Sequence, residues 1–113
     1  MPIQRISKED AAYLLRKAFD NGITYFDTAR FYTDSEEKMG YALSDIRDKV
    51  IIATKTAATN VTDFWKDLET SLGLLKTDYI DLYQFHNPAF CPKPGDESGV
   101  YDAMLEAKEK GLI

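Results

Sequence analysis

The sequence alternates between two hydrophobic spacings along its length, and this alternation restricts the fold more than any other feature. Apolar residues three and four positions apart recur in four segments, which predicts four amphipathic helices. Between them lie short runs rich in β-branched and aromatic residues, which predict strands. The predicted order is helix, strand, helix, strand, helix, strand, loop, helix. Strands that alternate with helices in this way predict right-handed crossovers and a parallel sheet covered by helices.

Local signals position these elements along the chain. Ser7 has the properties of a helix N-cap, and Gly22 provides a left-handed exit from the first helix. Ser35 is predicted to cap the second helix, with Glu36 and Glu37 in the first turn, where the helix dipole favours acids. The strands are predicted at 23–27, 50–55 and 79–85, and the last two helices from about residue 62 and over 98–110.

The second predicted strand and the last connection have further consequences. Residues 50–53 form a continuous apolar run, which predicts a strand that is buried on both faces. The connection over 87–97 contains three prolines and a glycine, and a loop of that length is usually functional or mobile. Three parallel strands alone leave two outer edges with unpaired backbone, which soluble proteins normally cover.

Composition excludes several classes of protein. The 113 residues suffice for one domain at most, and the net charge of −5, from 14 basic and 19 acidic residues, argues against a nucleic-acid partner. Cys91 is the single cysteine, so no intramolecular disulfide can form, and a reducing cytoplasm is the expected location. No run approaches the roughly 18 apolar residues of a membrane span, and no secretory leader is recognised.

Ionisable residues end three successive predicted strands. Asp27 ends the first strand, Lys55 ends the second, and His86 follows the third. Alternation along each strand directs these side chains to one common face. The carboxyl ends of parallel strands are where barrels and doubly wound sheets have their active sites. Tyr32, five residues after Asp27, is expected to reach the same place from the following loop.

This set of side chains suits proton transfer to a carbonyl oxygen. A phenol has an ordinary pKa of about 10, and a lysine ammonium nearby lowers such a pKa. Asp27 is available to keep Lys55 charged, and His86 can orient a substrate oxygen. No residue of the set supplies electrons, so a reduction needs an external hydride donor. Taken singly, each of the four is more often structural; their joint position favours an active site.

At these residues the sequence resembles the aldo-keto reductase family. The stretch Gly22–Ala29, followed by Tyr32, Ser35-Glu36 and Gly40, resembles the signature of that family's second strand. The run Asp78–Tyr83, which leads to His86-Asn87-Pro88, is similar to its fourth-strand segment, and Lys55 falls where the family has its lysine.

The resemblance implies a fold and a chemistry. The fold would be α/β, with residues 1–113 as a partial domain: a fragment of a TIM-type (β/α)8 barrel that contains strands two to four. Asp27, Tyr32, Lys55 and His86 would be the catalytic tetrad of an oxidoreductase. Tyr32 would be the general acid while NADPH delivers hydride to a small carbonyl substrate. Lys55 and Asp27 would tune Tyr32, His86 would position the substrate, and Asp27 would also contact the cofactor; no metal is implied.

The sequence also departs from the family pattern. Thr33 follows the tetrad tyrosine, where the family commonly has glycine. Strand one and strands five to eight have no counterpart in the chain, and by resemblance the later strands supply most of the NADPH site. We therefore expect an incomplete barrel that is inactive in isolation. The alternative is a non-catalytic binding or regulatory barrel module that self-associates through exposed strand edges.

Other residues near this constellation receive more modest interpretations. Asp81 lies on the opposite strand face from His86, which predicts pairing or capping toward a helix. Phe31 and Phe90 are candidates for the lining of a substrate pocket, whereas Trp65, on the third helix, is expected to pack. Cys91 is expected to be a passive surface cysteine.

Overall fold

The computed structural model describes residues 6–86 and 91–113, and it contains the predicted order of helices and strands. Asn87, Pro88 and Phe90, which the sequence interpretation includes, lie outside the described residues. The elements are α1 (Lys8–Asp20), β1 (Tyr25–Asp27), α2 (Ser35–Leu43), a 3-10 segment (Ser44–Lys49), β2 (Ile51–Thr56), α3 (Val61–Leu75), β3 (Leu82–Phe85) and α4 (Val100–Glu109).

The three strands form a parallel sheet in the order β1-β2-β3. Paired residues of parallel strands share a face, so the register divides the sheet into two sides. One side, here called the helix-facing side, carries Phe26, Ile52, Thr54 and Tyr83, all of them buried. The other side, here called the open face, carries Tyr25, Asp27, Ile51, Ala53, Lys55, Leu82 and Gln84.

The hydrophobic core lies between the helix-facing side and the helices. Phe64, Leu68 and Leu75 of α3 are almost fully buried, as are Met39 and Leu43 of α2. The apolar stripes predicted for these two helices are therefore confirmed. The prediction of a strand buried on both faces is wrong for Ile51, which is 45% exposed on the open face. Among the described residues, Tyr25 and Leu82 are exposed on the same side.

Gly40 allows α2 and α3 to pack closely. A Cβ atom at this position would lie 2.1 Å from the carbonyl oxygen of Leu74 and 2.8 Å from the backbone of Leu75. Only a residue without a side chain fits such a backbone contact. Gly40 thus fixes how near α2, and the loop before it, lies to the rest of the core.

The observed ends of the elements refine the predicted ones. The Ser7 hydroxyl accepts a hydrogen bond from the Asp10 amide at 3.1 Å, and Gly22 has a φ of 100°, so both predictions are confirmed. The prediction that Ser35 caps α2 is wrong: the N-cap is Asp34, and the Ser35 hydroxyl pairs with the Thr28 hydroxyl at 2.6 Å. A buried hydroxyl partner is the stronger requirement at this position, because a buried polar group without a hydrogen bond is costly.

Two strands are shorter than predicted. Regular pairing in β1 begins at Tyr25, and in β3 it begins at Leu82. The residues before β3 are held by other partners: the amide of Ile80 donates to the Leu112 carbonyl at 2.8 Å, and Arg47 donates to the Tyr79 carbonyl at 2.9 Å. No helix in residues 6–86 and 91–113 has the length and apolar character needed to cross a membrane.

Candidate active site

Lys55 and Asp27 meet at the carboxyl end of the open face. The Lys55 ammonium donates to both carboxylate oxygens of Asp27, at 3.0 and 2.8 Å, and to the carbonyl of Thr28 at 2.7 Å. An ammonium has three donors, and these three acceptors hold it in place. The Asp27 side chain remains 44% exposed, so the ion pair is open to solvent on the carboxylate side.

Tyr32 and His86 lie beside this ion pair. The Lys55 ammonium is 5.3 Å from the centroid of the Tyr32 ring, which is within cation–π range. The Tyr32 ring meets the His86 ring edge to face, with centroids 5.5 Å apart and an interplanar angle of 82°. The four residues singled out in the sequence therefore form one continuous cluster.

The position of His86 is fixed by its backbone, and one of its ring nitrogens is buried. Its amide donates to the Thr56 carbonyl at 2.8 Å, which extends the pairing of β2 and β3 by one residue. Its Nδ1 atom is buried and has no hydrogen-bond partner among the described residues. A buried polar atom in this condition is uncommon in folded proteins and calls for a partner. Phe31, mostly exposed, contacts the same ring with centroids 5.8 Å apart.

The loop that carries Tyr32 comes after β1 in the sequence and lies alongside the carboxyl end of β2. Beyond β1, the Thr28 amide donates to the Ala53 carbonyl at 2.8 Å, and the Arg30 amide donates to the Lys55 carbonyl at 3.0 Å. The chain then turns back, and the Tyr32 carbonyl accepts from the Ser35 amide at 2.8 Å. These bonds place the Tyr32 side chain above the end of the strand that carries Lys55.

Thr33 lies in the turn after Tyr32 with a φ of 44°. This is the left-handed region, where a residue with a β-branched side chain is unfavourable and glycine is not. The geometry gives a physical reason for the glycine that the family commonly has there. Thr33 keeps the turn but at a conformational cost.

A buried ionic network supports the same loop, and the sequence interpretation did not identify it. Glu36 is only 1% exposed and forms an ion pair with Arg30, while its other oxygen accepts from the Thr54 hydroxyl at 2.7 Å. Its position in the first turn of α2 is as predicted, but its carboxylate faces the core and not solvent. A signal was present in the sequence: Glu36 precedes Met39 and Leu43 by three and seven residues, so it lies on the apolar stripe.

A second hydrogen bond between side chains lies farther along the helix-facing side, where the Thr56 hydroxyl donates to the Asp67 carboxylate at 2.5 Å.

Tyr83 is a buried tyrosine on the same side of the sheet. Burial of its side chain raises its pKa well above the ordinary value, because the charged phenolate is poorly solvated there. Ionisation of this tyrosine is therefore opposed by the fold.

The remaining interpretations can be compared directly with the structure. Asp81 pairs with Arg47 at 2.8 Å and accepts from the Ile52 amide at 2.9 Å; pairing is confirmed, with a partner on the 3-10 segment. Trp65 packs edge to face on Phe64 with centroids 5.4 Å apart, as expected. Cys91 is exposed.

In the part of the chain that the structure describes, no cluster of three or more His, Cys, Asp or Glu residues could hold a metal ion.

Comparisons with known proteins identify the family of the chain. The model of the aldo/keto reductase family matches residues 2–113. Aldo-keto reductase YhdN of Bacillus subtilis is 44% identical over 88 residues, which cover 66% of this chain and 27% of that protein. Methylglyoxal reductase DkgA of Yersinia pestis is 33% identical over 114 residues, which cover 98% of this chain and 40% of that protein.

Solved structures show the same relationship. An aldo-keto reductase from Klebsiella pneumoniae in complex with NADPH superposes with a TM-score of 0.82 and 31% identity, over 94% of this chain and 37% of that one. The chain thus spans about two fifths of the length of the relatives that it matches over most of its own length. Its parallel strands and alternating helices are those of part of a TIM-type (β/α)8 barrel.

Proposed function

The chain belongs to the aldo/keto reductase family, and from that premise we propose that it carries the acid–base machinery of an NADPH-dependent carbonyl reductase. Tyr32 is the general acid, and Asp27, Lys55 and His86 assist it. The observation that carries the proposal is the contact of all four side chains at the carboxyl end of one sheet face, through the Lys55–Asp27 ion pair and the ring contacts of Tyr32.

Each side chain has a role that follows from its contacts. Tyr32 donates its phenolic proton to the carbonyl oxygen of the substrate. Lys55, fixed by Asp27 and the Thr28 carbonyl, directs its positive charge at Tyr32 and favours the phenolate that forms. The Nδ1 atom of His86, which has no partner in residues 6–86 and 91–113, gives this ring the capacity for one further hydrogen bond beside Tyr32.

NADPH, when bound, supplies the hydride that none of these side chains can provide. The part of the site in this chain suits a cofactor and substrate that approach from the open face. Asp27 is partly exposed at its carboxyl end, and Phe31 presents a mostly exposed ring next to His86. A relative of known structure was solved in complex with NADPH, which supports the same choice of cofactor here.

The substrate class is proposed to be a small aldehyde or ketone. Several relatives are methylglyoxal reductases, among them DkgA of Yersinia pestis, at 33% identity over 98% of this chain. Their substrate is a small dicarbonyl, and the exposed aromatic ring of Phe31 is compatible with such a ligand.

We propose further that the 113-residue chain alone neither binds NADPH nor turns over. It spans about two fifths of the length of its relatives, and the open face beside the tetrad is uncovered among the described residues. Titration of the isolated chain with NADPH, followed by cofactor fluorescence, should therefore show no saturable binding. A micromolar dissociation constant would contradict this part of the proposal.

Activity can be tested in a chimera in which this chain replaces the matching segment of DkgA. The chimera should oxidise NADPH in the presence of methylglyoxal. Lys55→Met should lower kcat by roughly 100-fold or more, because the charge that assists Tyr32 is removed. Lys49→Met is the matched control, since Lys49 is an exposed lysine near the amino end of the same strand. Equal rates for the two variants would refute the assigned role of Lys55.

A second candidate function is a non-catalytic module that associates with another copy of itself. The exposed apolar side chains of Tyr25, Ile51 and Leu82 on the open face favour it, because soluble proteins seldom leave such a face uncovered. Sedimentation velocity distinguishes the two: a concentration-dependent dimer that Ile51→Ser weakens supports self-association. A monomer at all concentrations rules it out.

A further inference from the structure

We propose that Glu36 is a positioning residue for the pair Tyr32 and Lys55. Its buried carboxylate, on the opposite side of the sheet from the candidate site, ties the loop that carries Tyr32 to the strand that carries Lys55. The catalytic meaning of this link rests on the proposed function, whereas the link itself is a property of the fold.

The two oxygens of Glu36 bind two different segments of the chain. One oxygen forms the ion pair with Arg30, which lies in the loop two residues before Tyr32. The other accepts from the hydroxyl of Thr54, which lies in β2 one residue before Lys55. The carboxylate thus joins a residue two positions before Tyr32 to the residue directly before Lys55.

Backbone hydrogen bonds make this connection stiff. The Arg30 amide donates to the Lys55 carbonyl at 3.0 Å, so Arg30 contacts β2 through its backbone and Glu36 through its side chain. On the other side, the Tyr32 carbonyl accepts from the amide of Ser35, the residue before Glu36. Tyr32 therefore lies in a short loop that is connected to Glu36 at both ends, through the Arg30 ion pair on one side and through Ser35 on the other.

Stability alone is a poor explanation for a carboxylate at this position. Removing a charge from water is costly, and a buried ion pair can often be replaced by apolar residues without loss of stability. Such a pair instead requires one particular geometry of its partners, because each hydrogen bond must be satisfied. The geometry that Glu36 requires is the one in which Tyr32 faces both Lys55 and His86.

The single histidine of the chain provides a direct measurement. His86 is the only histidine, and its ring lies edge to face against Tyr32 at 5.5 Å. The Phe31 ring, in the same loop, lies 5.8 Å from the His86 ring. The ring proton resonances of His86 in NMR spectra therefore report the position of the Phe31-Tyr32 segment without any assay of activity. In the 113-residue chain, Glu36→Gln should shift these resonances. Glu37→Gln, at the exposed acid of the same helical turn, should leave them unchanged.

A second pair of variants removes only one hydrogen bond and keeps the test valid if Glu36→Gln does not fold. Thr54→Val has nearly the same shape as threonine but cannot donate to Glu36, whereas Thr54→Ser can. We expect shifted His86 resonances in Thr54→Val and their recovery in Thr54→Ser. A folded Glu36→Gln or Thr54→Val variant with wild-type resonances would overturn the proposal. If Tyr32→Phe left turnover in the chimera unchanged, the proposed function would be wrong, but the shifts of the His86 resonances would still be expected.

Discussion

Ile51 and Ile52 are consecutive residues of the same type in the same strand, yet their surroundings differ completely. Ile52 is 1% exposed and belongs to the core on the helix-facing side, whereas Ile51 is 45% exposed on the open face. Strand alternation separates the two sides by a single residue. The difference shows that one side of the sheet holds the fold together, while the other leads to the candidate site.

The polar residues differ between the sides in the same way. Behind the helix-facing side, Glu36 and Thr54 are buried, and the Thr54 hydroxyl donates a hydrogen bond to the Glu36 carboxylate. On the open face, Lys55 pairs with an aspartate that is 44% exposed. Because they are buried, Glu36 and Thr54 are sensitive to any change of shape or charge. Solvent weakens the electrostatic contribution of the Lys55–Asp27 pair. Substitutions on the two sides should therefore affect different measurements.

The largest contrast is expected between alanine substitutions at the two isoleucines. Ile52→Ala should lower the free energy of unfolding by about 2–5 kcal/mol, because it leaves a cavity in the core. Ile51→Ala should lower it by about 1 kcal/mol or less, because its side chain already contacts solvent. Urea unfolding followed by circular dichroism measures both. Similar losses would mean that the open face is covered in solution.

Two glycines test the packing behind the helix-facing side. Gly40→Ala should destabilise the fold by about 3 kcal/mol, because the added methyl group meets the backbone of Leu74 at 2.1 Å. Gly73→Ala, in the adjoining helix, meets no atom of the described residues within 4 Å and should stabilise the fold by up to about 1 kcal/mol. The same urea titration applies. A neutral Gly40→Ala would show that α2 and α3 are farther apart than described.

The buried tyrosine of the helix-facing side predicts a dependence on alkaline pH. Burial raises the pKa of Tyr83, so the unfolded chain loses this proton near pH 10 while the folded chain keeps it. The unfolded state then binds fewer protons, and stability falls as pH rises above 10. Relative to Tyr83→Phe, the wild type should lose about 1.4 kcal/mol for each further pH unit. A constant difference between pH 8 and 11 would contradict this.

The smallest effect on stability is expected for the ion pair of the open face. Lys55→Met keeps the aliphatic stem and leaves Asp27 accessible to water, so the free energy of unfolding should change by about 1 kcal/mol or less. The same substitution should strongly lower turnover in the chimera, so it separates stability from chemistry. A loss as large as that of Ile52→Ala would show that Lys55 is primarily structural.

The sequence was sufficient to predict the fold class and the meeting of the four site residues. Asp27 is the last residue of β1 and Lys55 is the last but one of β2, in strands whose alternation is visible locally, and parallel strands bring their carboxyl ends to one edge. Tyr32 was expected beside them because it follows Asp27 by only five residues, and the resemblance to the family then implied the individual catalytic roles. These predictions rest on short-range patterns, which is why the positions of the residues could be predicted without a structure.

The unpredicted features depend on partners that are distant in sequence. From the local sequence, Glu36 is predicted to be an acid that interacts with the helix dipole. Its actual partners include Thr54, 18 residues later in the sequence, which donates a hydrogen bond to it. Ser35 resembles a cap because its pairing with Thr28 is not visible in the local pattern. The exposure of Ile51 likewise depends on what packs on the sheet and not on the apolar run itself.

The most direct test of the central claim compares two tyrosines of the open-face side in the chimera with DkgA. Tyr32→Phe removes the proposed general acid, and kcat for NADPH-dependent methylglyoxal reduction should fall by roughly 10²- to 10⁴-fold. Tyr25→Phe removes the same hydroxyl from an exposed tyrosine at the amino end of β1 and should leave kcat unchanged. Equal kcat values for Tyr32→Phe and the unsubstituted chimera would contradict the assignment of proton transfer to this site.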